Sequence, residues 1–434
     1  MRGNHFESVM GVLGFGESHG KVMGVVLEDV IAGVKFPLSA IQRELDKRRP
    51  GKGDFKSSRQ ETDQVEVLSG VLDGITTGMP ICLIVKNRDQ HSKDYENLKD
   101  IFRPGHAEYS WYRKFKVWDW RGGGRASGRE TIARVAAGAA VMDLLGDINL
   151  AVYPVQIGSI KAENIVDDFP NPLGWVDRSN YDEVLFELSN AQQSGDSLGG
   201  VIEVKISGVL AGLGDPVFGK LDAKLASALI SIGGVKGIEF GQGFNLAAMK
   251  GSEANDQMDS TGFLSNNCGG ILGGVSTGEE IILRLAVKPT SSIGKAQRTI
   301  DKNGTEHTIE IKGRHDTTIV IRILPVVTAM IRLVLADCLS YQKLVKGEAR
   351  DLGDFREALD KLDEDILISL RKRAEISKLT GIWKKENECE VLDKNRETEL
   401  MTSLKAKAEN LGLNDNYIEE IWKLILIESK RLQK

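Results

Sequence analysis

The 434-residue chain has only four cysteines, Cys82, Cys268, Cys338 and Cys389, and no two of them form a CxxC pair. That scarcity excludes a disulfide-built scaffold and a thiolate zinc site, and it suits a reducing compartment, the cytoplasm. No metal is expected. A surplus of basic charge is also missing, because 57 Lys and Arg face 62 Asp and Glu for a net charge of −5. Without an overall positive field, neither nucleic acid nor an anionic membrane is expected as a partner. The opening MRGNHFESVMG lacks a signal-type apolar core, and the most apolar stretch, 317–338, is broken by Arg322, Pro325 and Arg332. The expectation is a soluble protein too long for one core, built as a large domain and a smaller one.

What the sequence does have is concentrated in residues 103–143, RPGHAEYSWYRKFKVWDWRGGGRASGRETIARVAAGAAVMD. Arg121, Arg125, Arg129 and Arg134 surround Gly122, Gly123 and Gly124 just before a helix pattern. Glycines let backbone N–H groups approach an anion, and a helix N-terminus favours negative charge. A solvated basic turn is the plainer alternative, but four arginines and His106 in one short stretch favour a phosphate or polyanion cradle. The Ala/Gly run at 133–140 predicts a helix over about 129–145 that packs closely in the interior.

Near the start, GFGESHG at 14–20 tempts two motif readings, and both fail on context. A dinucleotide fingerprint needs glycine where His19 stands, and no helix pattern follows. A nucleophile elbow around Ser18 needs a helix after it, whereas β-branched residues and Gly24 follow. Residues 39–49 predict a helix capped by Ser39, with Lys47, Arg48 and Arg49 either complementing its C-terminus or binding an anion. Strands are predicted at 65–68, 81–85, 198–208 and 279–287, with a helix at 223–232. The glycine-rich 266–274 segment and Lys288-Pro289-Thr290-Ser291-Ser292 add close backbone approach, a cation and three hydroxyls. Gly313-Arg314-His315-Asp316 places three ionisable groups beside the apolar stretch.

The composition changes after Tyr341. The chain reads as a first domain at 1–345, a polar linker at 346–353 and a charged helical domain at 354–434. In the last of these, Leu359, Leu362, Ile366 and Leu370 form an apolar helical stripe that continues as Arg373, Ser377, Thr380 and Lys384, with Arg356 one turn before it. Ile418, Trp422 and Ile425 are likewise followed on one face by Ser429 and Gln433. Cations on the core phase of a helix predict a polar, cationic pocket inside a bundle rather than a solvated coiled coil.

The order GFGESHG, DKRRPG, RPGHAEY, RGGGRASGRET with RVAAGA, GGILGG, KPTSS and GRHD resembles the chorismate synthase family over about residues 1–343. The resemblance implies an α+β fold with helices sandwiched between antiparallel sheets, assembled as a homotetramer. It implies anti-1,4-elimination of phosphate from 5-enolpyruvylshikimate 3-phosphate, giving chorismate, with reduced FMN as cofactor. By the same resemblance, Arg48, Arg49, Arg103, Arg129 and Arg134 meet the substrate anions. Arg125, Ser127, Gly233, Gly234, Gly273, Lys288, Pro289, Thr290, Ser291, Ser292 and Arg314 meet the flavin. His19 protonates the departing phosphate, His106 keeps the reduced flavin correctly protonated, and Asp316 assists C6 proton removal through the flavin N5, with Ser18 and Ser127 as nearby donors. Ala126, Gly128, Asp54, Thr317-Thr318 and the Gly233-Gly234 pair depart from the usual pattern, and none of them removes a catalytic group.

Residues 354–434, through FREALDKLDEDILISLRKR, WK, LDKNRETEL and ESKRLQ, resemble the all-helical type of chorismate mutase. That implies an intertwined dimer, a Claisen rearrangement of chorismate to prephenate, and substrate contacts at Arg356, Arg373, Lys384, Asp393, Arg396, Glu397, Ser429 and Gln433, with Arg356 acting across subunits. The expected whole is a bifunctional enzyme. The alternative is a monofunctional synthase whose helical tail serves assembly or regulation.

Overall fold

The computed structural model describes residues 4–6, 11–49, 62–88, 96, 98–166, 169–311, 316–345, 352–392, 394–410 and 413–433. It divides into two compact units, 1–343 and 344–434. In the first unit, one five-stranded antiparallel sheet runs in the order His5–Phe6, Val12–Gly16, Val22–Leu27, Ile81–Lys86, Val65–Ser69. A second antiparallel sheet runs Val235–Phe240, Ile281–Val287, Gly200–Ser207, Asn149–Ile157, Ile160–Lys161. Alternation explains their placement: along Ile281–Val287 every second residue is buried, the period of a strand with one covered face.

The helices of this unit are α1 (Leu38–Arg48), α2 (Glu108–Phe115), α3 (Thr131–Ala140), α4 (Tyr181–Gln193), α5 (Leu221–Ile230), the short α6 (Gly251–Ala254) and α7 (Val320–Val345). One apolar core joins Met23, Val25, Leu83 and Val85 of the first sheet to Ile202, Val204, Leu283 and Leu285 of the second. Between them lie Ile41 and Leu45 of α1, Ile132 and Val135 of α3, Leu225 of α5, and Val327 and Leu335 of α7. The expected α+β sandwich is the fold found. Gly138 sets how tightly its middle layer packs, because a Cβ there would sit 2.4 Å from the Ala329 carbonyl oxygen, where α3 and α7 meet backbone to backbone.

The helix expected over 129–145 divides into a 3₁₀ turn at Gly128–Glu130, α3, and another 3₁₀ turn at Met142–Leu145. The first predicted helix begins two residues earlier than its serine suggests. Pro37, with φ −84°, occupies the N-cap, and Ser39 lies inside the first turn. Proline supplies the helical φ without a donor that would go unsatisfied there. Residues 320–342 of α7 are long and apolar enough to cross a membrane, yet 67% of that window is buried inside the protein, where it forms the middle of the core.

The second unit contains α8 (Leu352–Glu386), α9 (Lys394–Asn410) and α10 (Asp415–Gln433). Its other described residues, 387–392 and 413–414, are turns and loop, so helix is the regular secondary structure of this unit, as expected. α10 packs along α8 and also touches α9.

Candidate active site

The site of the first unit is built on charge pairs in its interior. Arg48, the last residue of α1, is 2% exposed and donates to Asp63 Oδ2 at 2.6 Å. The other oxygen of Asp63 faces Arg129 Nη1 at 3.1 Å, so one carboxylate neutralises two guanidinium groups. Burial pulls Arg48 down to about 10 against the attraction of Asp63. Burial pushes the Asp63 carboxyl up, but Arg48 and Arg129 outweigh it and hold the group below the usual carboxylate range. Arg322 repels Arg48 and is itself ion-paired with Asp316, which brings the aspartate of GRHD to the same cluster.

Two histidines flank this cluster. His19 is 8% exposed, on the tight loop between the first sheet's Val12–Gly16 and Val22–Leu27 strands. The Ser18 N–H donates to the Gly124 carbonyl at 3.3 Å, and a Cβ on Gly122 would lie 2.5 Å from the His19 ring. His106 packs similarly against Gly123, whose Cβ would stand 2.7 Å from Cε1. Gly122 and Gly123, with φ +61° and +82°, thus let the arginine-bearing turn lie flush on both imidazoles.

Arg103 is held by Glu108, with Nη2–Oε1 at 2.6 Å and Nε–Oε1 at 2.9 Å, and its Nη1 donates to Ser292 Oγ at 3.1 Å. Burial, then the positive charges of Arg103 and Lys288, pull His106 down to about 3. Its 3.7 Å approach to Glu108 is therefore no ion pair at neutral pH, where the imidazole is uncharged. Lys288 donates to the Gly105 carbonyl and to Ser291 Oγ, clasping the 288–292 loop onto the RPGH turn. Ser127 caps the Gly128–Glu130 turn, accepting from the Arg129 N–H at 3.4 Å. Arg125 lies against Gly14 and reaches Asn4, and burial lowers its pKa.

Several predicted residues are placed apart. Arg49 pairs at the surface with Asp46. Arg134 binds Glu130 and both oxygens of Ser231, beyond the end of α5, and so ties α3 to the loop carrying Gly233 and Gly234. A Cβ on Gly233 would meet nothing within 4 Å, while the Gly234 carbonyl accepts from the Lys288 N–H. Gly273 sits in the turn whose Gly274 accepts from Leu221 at the start of α5. The length of that helix, about 15 Å, separates Gly273 from Gly234 within one chain. Pro289 lies in the 288–292 loop; Arg314 is outside the described residues. Asp63, Asn87, Glu108 and Arg322 were not anticipated. Arg322 carried a signal, a cation inside an apolar helix; Asp63 carried none.

In the second unit, Arg373 donates to Ser429 Oγ across α8 and α10, and burial lowers its pKa. The Gln433 Oε1 nearby is buried with no partner among the described residues. A Cβ on Gly381 would lie 2.6 Å from Gln433 Cα, so glycine is what admits the end of α10 to α8. Lys384 donates to the Val391 carbonyl at 2.8 Å, Glu397 pairs with Lys430 at 3.1 Å, and Arg396 is exposed beside Glu399. Asp393 and the Arg356 side chain lie outside the described residues. Among the described residues, no group of three His, Cys, Asp or Glu converges as a metal site would.

The first unit thus brings Arg48, Arg103 and Arg129, two imidazoles and the buried Asp63 and Glu108 carboxylates together around the Gly122–Gly124 turn, a cationic frame whose chemistry suits a small anionic ligand. The chain belongs to the chorismate synthase family, whose sequence model matches residues 10–340. Residues 355–434 match the model for chorismate mutase type II. A chorismate synthase of Syntrophus aciditrophicus is 46% identical over 352 residues, 80% of this chain and 99% of that one. One from Archaeoglobus fulgidus is 49% identical over 357 residues, 79% and 98% of the two chains. A crystal structure of chorismate synthase aligns with TM-score 0.60 at 30% identity, covering 83% of this chain and 98% of the other. The protein is an enzyme with a synthase (lyase) domain and a mutase family domain.

Proposed function

We propose that the chain is bifunctional: its first domain, 1–345, makes chorismate from 5-enolpyruvylshikimate 3-phosphate, and its second, 354–434, converts chorismate to prephenate. The observation that carries the first half is Asp63 shared between Arg48 and Arg129. Two guanidinium groups held on one buried carboxylate keep net positive charge in an enclosed site, which binds phosphate and carboxylate in preference to water.

Reduced FMN is the proposed cofactor. The Arg125 Nη1, Ser18 Oγ and Thr290 Oγ1 atoms are buried with no partner among the described residues, and with Lys288 they offer the donors that a flavin's phosphate and ring edge require. Arg125, Ser127, Gly233, Gly234, Ser291 and Ser292 would hold it together with these. When bound, it supplies electron density to the elimination, with no net redox change. His19 gives a proton to the departing phosphate, Asp316 takes up the proton lost from C6, and a neutral His106 accepts or returns a proton at the flavin side. Arg103 and Arg129 orient the substrate anions; Arg49, Arg134 and Gly273 are assigned to these sites by resemblance alone.

The rearrangement needs no acid or base, only a folded substrate and stabilised charge on the ether oxygen. Arg356, Arg373 and Arg396 hold the carboxylates, Lys384 and Gln433 meet the ether oxygen, and Asp393, Glu397 and Ser429 complete the pocket. Leu359, Leu362 and Ile366 are each more than half exposed in a single chain, which supports a second copy covering that stripe and Arg356 reaching across. A homotetramer in the cytoplasm accommodates both units, and the four thiols, none in a disulfide, suit that compartment.

The test supplies 5-enolpyruvylshikimate 3-phosphate and reduced FMN to the full chain and follows phosphate, chorismate and prephenate. Prephenate is the expected end product. Accumulation of chorismate alone would leave a monofunctional synthase, and no phosphate release would refute the reading. His19→Ala and His106→Ala should each abolish phosphate release.

A further inference from the structure

Asn87 lies at the end of the Ile81–Lys86 strand and carries no charge, yet every polar atom of its side chain is engaged in the site's frame. Its Nδ2 donates to the Glu17 carbonyl at 3.0 Å and to the Gly20 carbonyl at 2.8 Å, the two ends of the turn that carries Ser18 and His19. Its Oδ1 accepts from Arg129 Nε at 2.8 Å, and its backbone N–H donates to the Lys21 carbonyl at 3.1 Å. These partners fix the amide's orientation. Turned over, it would set an oxygen against two carbonyls and an N–H₂ against the guanidinium N–H. Arg129 is planar, so the direction of its Nε–H is rigidly linked to its Nη atoms, one of which faces Asp63 at 3.1 Å.

We infer that Asn87 is a positioning residue that couples the anion held at Arg129 to the placement of His19. The inference rests on the reading of Arg129 as a substrate contact and of His19 as the proton donor. When an anion draws the Arg129 guanidinium, the plane turns about its Asp63 contact, the Asn87 amide follows, and both ends of the 17–20 turn move with it. The imidazole is then set against the leaving group only when an anion is in place. A substrate lacking the anion that Arg129 holds leaves His19 unset, so the device contributes to specificity as well as to rate.

The variants are Asn87→Asp, which keeps the acceptor for Arg129 but faces two carbonyls with a carboxylate, and Arg129→Lys, which removes the Nε–H. The full-length protein, labelled with ¹³C at the histidine Cε1 positions, is titrated with inorganic phosphate, and the His19 signal is assigned with His19→Gln. In the unmodified protein the His19 resonance should move with phosphate. In Asn87→Asp, phosphate should bind within about twofold while the His19 response is lost, and kcat for phosphate release should fall about 10- to 100-fold with KM nearly unchanged. Arg129→Lys should lose the His19 response as well. A His19 response that survives in Asn87→Asp overturns the inference, as does a fall confined to melting temperature. If the unmodified protein releases no phosphate from substrate, the proposed reaction fails, and the phosphate titration still decides the coupling.

Discussion

The two units arrange their arginines with different amounts of their own structure. In the first, each cation of the central cluster already has a counter-ion: Arg48 and Arg129 share Asp63, Arg103 is wrapped around Glu108, and Arg322 meets Asp316. In the second, Arg373 meets a serine hydroxyl, Gln433 Oε1 is buried without a partner among the described residues, and Leu359, Leu362 and Ile366 are exposed. Buried counter-ions cost desolvation but leave the arginines fixed before the ligand arrives. An elimination that moves protons and expels phosphate needs that fixity, whereas a rearrangement needs a cage that closes around a folded ligand. The contrast teaches that a single chain suffices to fix the first cluster, whereas the second leaves its apolar stripe uncovered in one chain, which is where the proposed second copy would sit.

Removing Asp63 tests the first half of that comparison hardest. Asp63→Ala should destabilise the protein by about 3–5 kcal/mol in urea unfolding, because two buried guanidinium groups lose their counter-charge. The pH dependence follows in sign. Asp63 is held below its ordinary pKa, so its contribution is present above about pH 4 and is lost as pH falls further. His106 is depressed to about 3, so the unfolded chain binds a proton from pH 6.5 downward while the folded protein does not. Stability should fall with pH across that window by at most about 1.4 kcal/mol per unit from this group, and His106→Asn should flatten the slope. An unchanged slope would mean that His106 is not held neutral.

Two glycine substitutions should separate the activities. Gly122→Ala places a methyl 2.5 Å from the His19 ring at φ +61°, and should reduce phosphate release by about 100-fold or more with prephenate formation from added chorismate intact. Gly381→Ala drives α8 and α10 apart at Gln433 and should do the reverse. Loss of both activities in either variant would break the claim of two independently built sites. Mixing Arg356→Ala with Arg373→Ala chains should then restore about a quarter of the mutase sites, since half of randomly paired dimers carry one intact pocket. No recovery would place Arg356 in its own chain's pocket.

Which parts of this were legible in the sequence follows from what each residue depends on. His19, His106 and the glycines between the arginines stand in short motifs, so the order of residues singled them out, while the proton roles of the two histidines came only through resemblance. The sandwich was legible only through resemblance, because strand alternation gives which face is buried but not which sheet buries it. Asp63, Asn87 and Glu108 act across 15, 42 and 5 residues of sequence, and the first two carried no periodic or motif signal at all. Arg134 shows the converse: a cation inside the richest motif that is occupied by Glu130 and Ser231 in the folded chain. In the second unit the helical period singled out Arg373, Ser429 and Gln433 on the core phase of their helices, while the meetings of Arg373 with Ser429 and of Gln433 with Gly381 depend on how α8 and α10 pack and had no signal in the sequence.

The smallest expected effect on folding belongs to Arg396, and it sharpens the comparison most cleanly. Its pair with Glu399 is 3.5 Å long, three residues apart on α9, with both side chains about 70% exposed. Such a pair contributes at most about 0.5 kcal/mol, so Arg396→Gln should melt within error of the parent. A purely surface residue would leave catalysis equally unmoved. If Arg396 instead holds a carboxylate once a second copy encloses the pocket, prephenate formation should fall about 10-fold or more while phosphate release from the first unit is unchanged. A variant normal in both reactions would remove Arg396 from the pocket, and with it the strongest sign that the second site is completed by assembly rather than by the single chain.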